Sequence, residues 1–394
     1  MKKVLIFSMA YYPHFTSGAE AAVREITDRI DDIEFHMVTN RYDSELPKEE
    51  KIGNVVVHRI GIATKSPSFE DLSTMPLHLN KYLYQFLAAF KGLALHKKYK
   101  FDGMWALMAH SAGVPAAIFN MFQPKVPYLL TLQEGDPTEY IEKVMKPVWP
   151  LFSRTFTQAT AIQAISSFLR DWAYARGFKG EVNLVHNGAN PRDLHPTFSE
   201  EEIEKIKKEL GKKEGDVFLV NTARLVHQKA FDITIKALPM LPAHVKLVIV
   251  GGGDEREMLQ DLVKELKLED RVIFVGQVDR SVVTLYRKAS DIFVCASRSE
   301  GLGNAFLSAM ASRLPVIATR EGGLSEFMED GETGWVVEKD NPEQIAAAVK
   351  DILEDKEKVN RIAETAQKMV FEEYNWDRIG EKMRKEVFKD KLNI

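Results

Sequence analysis

The sequence predicts an α/β protein made of two Rossmann-like domains, each built on a parallel β-sheet. Three observations support this prediction. Short apolar runs alternate with helical patterns along the whole chain, which is typical of βαβ units. A polar stretch without a strand pattern interrupts this rhythm between Gly188 and Gly215. The length of 394 residues exceeds what a single core usually reaches, about 250–300 residues.

The predicted strands form two groups, one on each side of the polar stretch. In the first half they are Val4–Ser8, Phe35–Thr39, Val55–Ile60, Met104–Leu107, Tyr128–Leu132, Ile162–Ile165 and Val182–Val185. In the second half they are Val217–Thr222, Val245–Val250, Val272–Val275, Ile292–Ala296, Val316–Thr319 and Gly334–Val337. Because these runs are mostly apolar, we expect helices to cover both faces of each sheet.

The polar stretch also sets the expected domain boundaries. It contains two prolines and one weakly amphipathic, charged helical pattern. We expect one domain over residues 1–188 and a second over 189–375. Residues 376–394 are predicted to form a terminal helix, because four apolar residues recur there at helical spacing: Trp376, Ile379, Met383 and Val387.

The composition excludes several classes of protein. A net charge of −4 and a pI of about 6.3 disfavour a nucleic-acid-binding protein, which usually has a basic excess. Cys295 is the only cysteine, which rules out an intramolecular disulfide and a cysteine metal cluster and fits a reducing compartment. No stretch approaches the ~20 apolar residues of a membrane span. We therefore expect a soluble, cytoplasmic protein.

One segment leaves two interpretations open. Leu79, Leu83, Phe86, Leu87 and Phe90 recur on one face of a predicted helix, with lysines elsewhere. Such a stripe can lie on a membrane surface, as a peripheral contact. The spacing alone does not distinguish the two interpretations. The favoured interpretation is the more ordinary one, a core-facing helix with snorkelling lysines.

Two turns that follow predicted strands carry residues suited to binding an anion. Gly18 stands where a helix begins, within a Ser-x-x-Glu pattern. This pattern is either a capping box or a site where an anion approaches free helix N–H groups. Arg224 and Lys229 lie five residues apart after the strand that begins the second domain. They are either ordinary loop cations or a cradle for a diphosphate.

The segment from Glu300 to Asn304 carries the strongest functional pattern. Glu300 opens a Gly-x-Gly turn between a strand and a helix that starts near Asn304. Glycines let a ligand approach the backbone and the next N–H groups, so Glu300 is a candidate for binding sugar hydroxyls. The alternative is an acid that only stabilises the helix dipole.

Two further patterns limit the choice of ligand. The glycines of VIVGGGDERE form only part of a dinucleotide fingerprint, since Arg256 occupies the third glycine position. We interpret them as a tight turn from a strand to a helix. The chain contains no Asp-x-Asp pair, so metal-bridged diphosphate binding lacks its usual carboxylates. Arg224 and Lys229 would have to neutralise the charge.

Taken together, these segments resemble the family 4 (group 1) retaining glycosyltransferases, which have the GT-B fold. The similarity covers essentially the whole chain, and the segments occur in the family's order: YYPHFTSGAE, HNGANPRDLHP, ARLVHQKAFDITIKAL, SEGLGNAFLSAMASRLPVIATREGGLSE and YNWDRI. The fold that this implies is two Rossmann-like domains facing each other across a cleft. The C-terminal helix would cross back and pack on the first domain.

The resemblance also implies a donor site for a nucleotide sugar. Gly18, Arg224 and Lys229 would hold the diphosphate, and Glu300 would bind hydroxyls of the transferred sugar. The other donor contacts that it implies are Gly276, Gln277 and Val278 near the base, and Gly301, Leu302, Gly303, Asn304 and Ser308 around the sugar and ribose. No cofactor and no metal is expected. The implied reaction is a front-face displacement in which the leaving phosphate takes the acceptor's proton.

The sequence departs from the family pattern at three places. The family usually has a glutamate at position 308 that grips the ribose hydroxyls, so Ser308 predicts weaker or rearranged ribose binding. Ser17 and Ala230 replace glycines, which we interpret as tolerable. An ungapped comparison puts Leu107 where the family often has a donor-contacting histidine, whereas His110 lies three residues later. His110 either takes that role or is an ordinary loop histidine.

The acceptor side is defined more weakly. Glu134 and Asp136 follow the next strand and are candidates for binding an acceptor hydroxyl, or simply part of a Gly-Asp-Pro turn.

The hypothesis is a metal-independent retaining glycosyltransferase with Arg224, Lys229, Glu300 and His110 as catalytic residues. Its partners would be a nucleotide-sugar donor and a hydroxyl acceptor: a carbohydrate, a lipid-linked sugar or a small molecule. The alternatives are a GT-B epimerase, a phosphorylase-like enzyme, or a non-catalytic subunit that binds nucleotide sugars.

Overall fold

The computed structural model describes residues 1–14, 17–68, 70–195 and 198–394, and the chain divides into two compact units. Unit 1 contains residues 1–187 and 376–394, and unit 2 contains residues 188–375. Each unit is one β-sheet with helices packed against it. Every strand that the sequence predicts is present, so the prediction of a doubly wound α/β fold is confirmed.

Unit 1 is built on an eight-stranded sheet in the order β3-β4-β2-β1-β5-β6-β7-β8. The strands are β1 (Lys2–Phe7), β2 (Ile33–Asn40), β3 (Glu49–Ile52), β4 (Val55–Ile60), β5 (Gly103–Leu107), β6 (Tyr128–Leu132), β7 (Ala161–Ala164) and β8 (Val182–Leu184). The helices before residue 188 are α1 (Gly18–Thr27), α2 (Asn80–Tyr99), α3 (Val114–Phe122), α4 (Thr138–Met145), α5 (Trp149–Thr157) and α6 (Ser167–Ala175).

Strand β1 shows why the predicted strands are continuously apolar. Successive side chains point to opposite faces of a sheet. Leu5 and Phe7 face α2, where a Cβ on Gly92 would lie 2.8 Å from the Phe7 ring and 3.0 Å from Leu5. Val4 and Ile6 belong to the core on the opposite face. Both faces are therefore buried, and neither tolerates polar side chains.

Strand β3 was not predicted from the sequence. It pairs antiparallel with β4 at the edge of the sheet, and its sequence EEKI is mostly charged. An edge strand is exposed to water, so it needs no apolar run. The two-residue Gly53–Asn54 connection, in which Gly53 has φ +56°, is a hairpin pattern that could have revealed it.

The favoured interpretation of the apolar stripe on α2 is wrong. The face of α2 that packs on the unit consists mainly of small or polar residues, and it includes Ala88, Ala89 and Gly92. The stripe itself faces solvent: Phe86 is 46% exposed and Phe90 58% exposed. Small side chains let the helix approach the sheet closely. Because the helix packs through this face, its large apolar side chains are exposed to solvent.

Two histidines form a buried pair between β2 and β4. His36 Nδ1 lies 3.0 Å from His58 Nε2, and the two rings are stacked. Each ring also contacts a carboxylate: His36 Nε2 is 2.6 Å from Glu34 and His58 Nδ1 is 3.0 Å from Glu49. Burial lowers the pKa of both imidazoles, in His58 to about 4, although the carboxylates oppose this shift. Lys3 adds to the lowering at His36, and Lys91 at His58.

We expect this pair to make the protein less stable in mild acid. Below the usual histidine pKa of 6.5, the unfolded chain takes up protons that the buried rings do not. The free energy of unfolding should therefore fall from about pH 6.5 to 4, with a slope of about 1.4 kcal/mol per pH unit for each excess proton bound by the unfolded chain. Urea unfolding at several pH values measures this slope. His58→Gln should reduce it, whereas the exposed control His244→Gln should not, and equal slopes in all three proteins would contradict the assignment.

Unit 2 is built on a six-stranded parallel sheet in the order β11-β10-β9-β12-β13-β14. Its helices are α7 (Pro191–Leu194), α8 (Glu200–Glu209), α9 (Phe231–Ala237), α10 (Arg256–Glu265), α11 (Val283–Lys288), α12 (Asn304–Ala311), α13 (Pro342–Glu354) and α14 (Lys356–Glu373). The strands are β9 (Val217–Asn221), β10 (Val245–Val250), β11 (Val272–Gly276), β12 (Ile292–Cys295), β13 (Val316–Ala318) and β14 (Trp335–Val336).

The C-terminal residues return to unit 1, as expected. Helix α15 (Trp376–Lys382) continues as a wider helical turn to Lys389. Trp376, Ile379, Met383 and Val387 are all buried in the core that also contains residues of β1 and α1. Asp377 accepts a hydrogen bond from Arg29 at 2.6 Å. Within the part of the chain that the structure describes, no helix has both the length and the apolar content needed to cross a membrane.

Candidate functional site

The order of the strands in unit 2 locates its candidate site. Strand β9 lies between β10, which follows it in sequence, and β12, which comes later. The chain therefore changes direction across the sheet between β9 and β12. Ligands of open α/β sheets bind at such a switch point, beyond the carboxyl ends of the strands. Lys229 follows β9 and Glu300 follows β12, so the two residues come from the strands that flank this point.

Lys229 and Glu300 form a shielded ion pair. Lys229 Nζ donates to Glu300 Oε1 at 2.5 Å, and their side chains are 17% and 7% exposed. The structure thus brings together two residues that the sequence identified separately. An ammonium and a carboxylate side by side offer one group for phosphate oxygens and one for hydroxyl groups.

A second hydrogen bond also holds the Glu300 carboxylate in place. Ser297 Oγ donates to Glu300 Oε1 at 2.9 Å and lies 3.1 Å from Cys295 Sγ. Ser297 is fully buried, and its carbonyl oxygen accepts from Thr319 Oγ1 at 2.7 Å. Burial raises the pKa of the Cys295 thiol to about 11, so this cysteine is a neutral packing residue. Sequence patterns did not identify Ser297, because its role depends on contacts between loops.

The glycines around Glu300 allow two loops to pack backbone to backbone. Gly322 has φ +58°, and a Cβ there would lie 2.1 Å from the carbonyl oxygen of Glu300. A Cβ on Gly323 would lie 2.1 Å from the carbonyl oxygen of Gly301. Gly323 N–H also donates to Glu300 O at 2.9 Å. The sequence predicted that the glycines after Glu300 admit a ligand. Gly322 and Gly323 have a different role, because side chains there would block the close packing of the two loops.

Arg298 ties the loop of Glu300 to the loop of Lys229. Its guanidinium donates to Asp340 at 2.6 Å, to Asp232 at 3.0 Å and to the carbonyl oxygen of His227 at 2.8 Å. Its backbone N–H donates to the carbonyl oxygen of Gln228 at 2.7 Å. Burial would raise the pKa of Asp232, but Arg298 keeps it below its usual value. No pattern in the sequence indicates this role.

The other predicted phosphate and base residues lie on neighbouring loops. Arg224 is exposed on the loop after β9. Gly276 ends β11 with φ +88°, and its carbonyl oxygen accepts from Gly251 N–H at 2.9 Å. Gln277 is exposed and Val278 is half-buried. Gly251 belongs to the glycine run after β10, which packs against the backbone of residues 223–225. The interpretation of that run as a tight turn is therefore confirmed.

The start of α12 carries the remaining predicted donor contacts. Gly303 has φ +100°, and a Cβ there would lie 2.8 Å from side-chain atoms of Leu324 and Phe306. Gly301 and Leu302 are buried, and Asn304 is half-buried as the first helical residue. The sharp turn at Gly303 lets the chain pass from Glu300 directly into the helix.

Two residues that depart from the family pattern have clear structural settings. Ser308 is buried, and its Oγ accepts a hydrogen bond from Asn190 N–H at 3.0 Å. Its oxygen is thus used by the segment that begins unit 2. Ala230 has φ +49°, a left-handed conformation that glycine adopts freely. An L-residue there costs about 1–2 kcal/mol.

The turn at Gly18 in unit 1 forms the expected capping box. Ser17 Oγ accepts from Ala19 N–H at 3.3 Å, and Glu20 accepts from Ser17 N–H at 2.7 Å. Gly18 is the first residue of α1. Capping accounts for the local sequence pattern, and an additional phosphate contact at Gly18 stays a prediction.

His110 and Glu134, predicted for different roles, lie next to each other in unit 1. His110 Nδ1 is 3.6 Å from Glu134 Oε1. Glu134 is buried and accepts from the N–H groups of Ala109 at 2.5 Å and Gln133 at 2.9 Å. Its carboxylate therefore orders the His110 loop. Asp136 is half-buried, two residues beyond it.

The backbone that leads into the His110 loop is strained. Met108, at the end of β5, has φ 67° and ψ 134°, a conformation that non-glycine residues rarely adopt. A wide helical turn over Ala109–Gly113 follows. Gln85 of α2 donates to the carbonyl oxygens of His110 at 3.4 Å and Ser111 at 3.2 Å. Strained backbone braced in this way is more common at functional sites than elsewhere.

Comparison with known sequences identifies part of unit 2. Residues 202–369 match the family of glycosyl transferases group 1. The glycosyltransferase MJ1607 of Methanocaldococcus jannaschii is 34% identical over 203 residues, which are 51% of this chain and 52% of that protein. This match spans about half of that relative. MJ1178 of the same organism is 26% identical over 386 residues, 97% of each chain.

Comparison with solved structures identifies the fold. Sucrose-phosphate synthase from Thermosynechococcus elongatus has a TM-score of 0.79 at 21% identity and covers 98% of both chains. Anabaena HepE in complex with UDP and glucose has a TM-score of 0.77 at 21% identity, over 98% of this chain and 99% of that one. These proteins share the GT-B fold. Residues 202–369 of this chain therefore resemble the glycosyl transferases group 1 family, within a protein that has the GT-B fold.

Proposed function

We propose that this protein is a retaining glycosyltransferase of family 4 type that moves a sugar from a nucleoside diphosphate sugar to a hydroxyl acceptor. The observation that carries the proposal is the Lys229–Glu300 pair at the switch point of unit 2, within the segment that matches the family. Its acidic partner is fixed by Ser297, so the pair is held in place before a ligand arrives.

The chemistry of the pair fits a diphosphate leaving group. When a donor binds, the Lys229 ammonium, with Arg224 on the same loop, is placed to neutralise charge that grows on the departing diphosphate. Glu300 then accepts hydrogen bonds from hydroxyls of the transferred sugar, which fixes the orientation of the anomeric carbon. In the proposed front-face displacement the leaving phosphate takes the acceptor's proton, so no side chain has to act as the general base.

Metal independence is part of the proposal, and it rests on the charges of the chain. The sequence has no Asp-x-Asp pair, and its two loop cations offer the neutralisation that a divalent ion otherwise provides. Relatives use different bases: one match of 33% identity, over 42% of this chain, is a GDP-mannose-dependent mannosyltransferase of Mycobacterium tuberculosis. The structural neighbour HepE was solved with UDP. The donor test therefore needs both UDP-sugars and GDP-sugars.

The test is turnover of such a donor panel by the full chain, with and without a chelator, read by nucleotide release. We expect release for at least one donor, no loss with the chelator, and an unchanged anomeric configuration in the product by NMR. If every donor stays intact, although nucleotide sugars bind, the protein is a binding subunit. Product of inverted configuration, or activity abolished by the chelator, would overturn the corresponding part of the proposal.

A substitution of Arg298 tests whether the tie between the two loops matters for turnover. Arg298→Lys keeps the charge but cannot contact Asp340, Asp232 and the His227 carbonyl at once, because lysine lacks the guanidinium fork. We expect kcat to fall about tenfold or more with a smaller change in KM, since misplacing Lys229 weakens an interaction that is strongest in the transition state. The control Arg313→Lys alters an exposed Arg–Glu pair and should be silent. Equal kinetics for both variants would contradict this role for Arg298.

A further inference from the structure

The exposed face of α2 is an unpartnered apolar surface, which we call the α2 stripe: Leu79, Tyr82, Leu83, Phe86, Leu87 and Phe90. All six are exposed. The spacing of Leu83, Phe86, Leu87 and Phe90 is i, i+3, i+4 and i+7, so these side chains lie on one side of the helix. The opposite side is packed on the unit mainly through small and polar side chains, so the large apolar side chains of this helix lie on its solvent side. A contiguous set of large exposed apolar side chains marks an interaction surface.

The charged residues of the helix segment itself have one sign. Residues 72–101 contain no aspartate or glutamate and five lysines: Lys81, Lys91, Lys97, Lys98 and Lys100. In the described ranges of the chain, none of these lysines forms an ion pair within 4.0 Å. Lys97 lies seven residues after Phe90 and so continues the same side of the helix. The whole protein has a net charge of −4, which makes this local basic excess distinct.

We propose that the α2 stripe binds the surface of an anionic lipid bilayer. A helix that offers large apolar side chains on its outer face and lysines along its length lies in the plane of the interface. Its apolar groups enter the boundary between headgroups and acyl chains, and the lysines meet lipid phosphates. Phe86 and Phe90 provide the inserted area, and Lys97 and Lys98 provide the attraction at the C-terminal end of the helix.

The same charge pattern disfavours a second copy of this chain as the occupant. In a two-fold symmetric dimer through this face, the same residues of both copies meet. Five unpaired lysines on each side would then be brought together with no carboxylate of residues 72–101 to offset them. An anionic surface satisfies both the apolar area and the charge.

Bilayer binding would also have a structural consequence near the unit 1 candidate residues. Gln85, on the same helix, donates to the carbonyl oxygens of His110 and Ser111. The α2 stripe therefore lies on the element that braces the His110 loop. Binding at the stripe holds this edge of unit 1 at the lipid surface.

The experiment is co-sedimentation of the full chain with vesicles. One set contains phosphatidylcholine and phosphatidylglycerol in equal parts, and the other only phosphatidylcholine. We expect binding to the anionic vesicles, weakened by salt, and little binding to the neutral ones. Phe86→Ser with Phe90→Ser should weaken binding about tenfold or more. Lys97→Gln with Lys98→Gln should weaken it about fivefold per lysine.

Matched controls lie in unit 2, where Met258 is an exposed apolar residue and Lys205 and Lys208 are exposed lysines. Met258→Ser and the double change Lys205→Gln with Lys208→Gln should bind like the unaltered protein. Circular dichroism of each variant checks that it is folded. Absence of binding, or equal binding by the stripe variants and the controls, would overturn the proposal. So would a dimer, seen by analytical ultracentrifugation, that the phenylalanine changes dissociate. Because no donor is present, these outcomes are independent of whether the chain transfers a sugar.

Discussion

Replacing Lys229 by alanine is expected to lower kcat/KM for donor turnover by about 10²–10³-fold. In the proposed mechanism the Lys229 ammonium neutralises the departing diphosphate, and removing one preorganised charge from a partly dehydrated site has an effect of this size. The loss should appear mainly in kcat, because the charge on the leaving group is greatest in the transition state. Steady-state kinetics with the donor that the panel identifies measure both terms.

Unit 2 contains a matched control for this substitution. The pair Lys246–Asp216 has an N–O distance of 2.7 Å, and its side chains are 17% and 9% exposed, nearly the same as in the Lys229–Glu300 pair. Lys246→Ala should therefore have a similar effect on stability and leave turnover unchanged. Glu300→Gln, which keeps the shape but removes the charge, should also lower kcat. Equal losses of turnover in Lys229→Ala and Lys246→Ala would show that stability and not chemistry explains the effect.

The sequence predicted those parts of the site that depend on short segments. Lys229 and Glu300 each stand a few residues after a strand, and parallel strands present their carboxyl ends at one edge of the sheet. Their meeting at 2.5 Å follows from this topology. Ser297, Arg298 and the Gly322–Gly323 turn act through contacts between loops, and no spacing within one segment specifies such contacts.

The error at α2 has a different cause. A regular apolar stripe shows that the two faces of a helix differ, but it does not show which face is buried. In α2 the buried face includes Ala88, Ala89 and Gly92, whose small size allows close packing on the sheet. The spacing of Ala88 and Gly92 by four residues indicates a second, small-residue face that suits close packing. The charged edge strand β3 was missed for a related reason, since exposure removes the apolar pattern that predicts strands.

The buried pair Asp193–Arg287 leads to the second large prediction, which concerns stability. Arg287 donates to both carboxylate oxygens of Asp193, and Ser312 Oγ donates to Asp193 at 2.7 Å. Both residues are almost fully buried. Asp193→Ala should destabilise unit 2 by about 3–5 kcal/mol, because it leaves the Arg287 guanidinium buried without its counter-charge. Hydrogen exchange by mass spectrometry measures this in peptides from residues 188–375 of the intact chain.

A variant without either charge separates the cost of an unpaired charge from the value of the pair. If the unpaired guanidinium is the main cost, Asp193→Leu with Arg287→Met should be more stable than Asp193→Ala, since it leaves no buried charge. The control Asp261→Ala removes an exposed pair with Lys264 and should change stability by less than about 1 kcal/mol. Asp193 lies three residues after Asn190, whose N–H binds Ser308. Loss of the buried pair should therefore also raise exchange at the start of α7 and in α12, and unchanged exchange there would contradict the view that Asp193 anchors this segment.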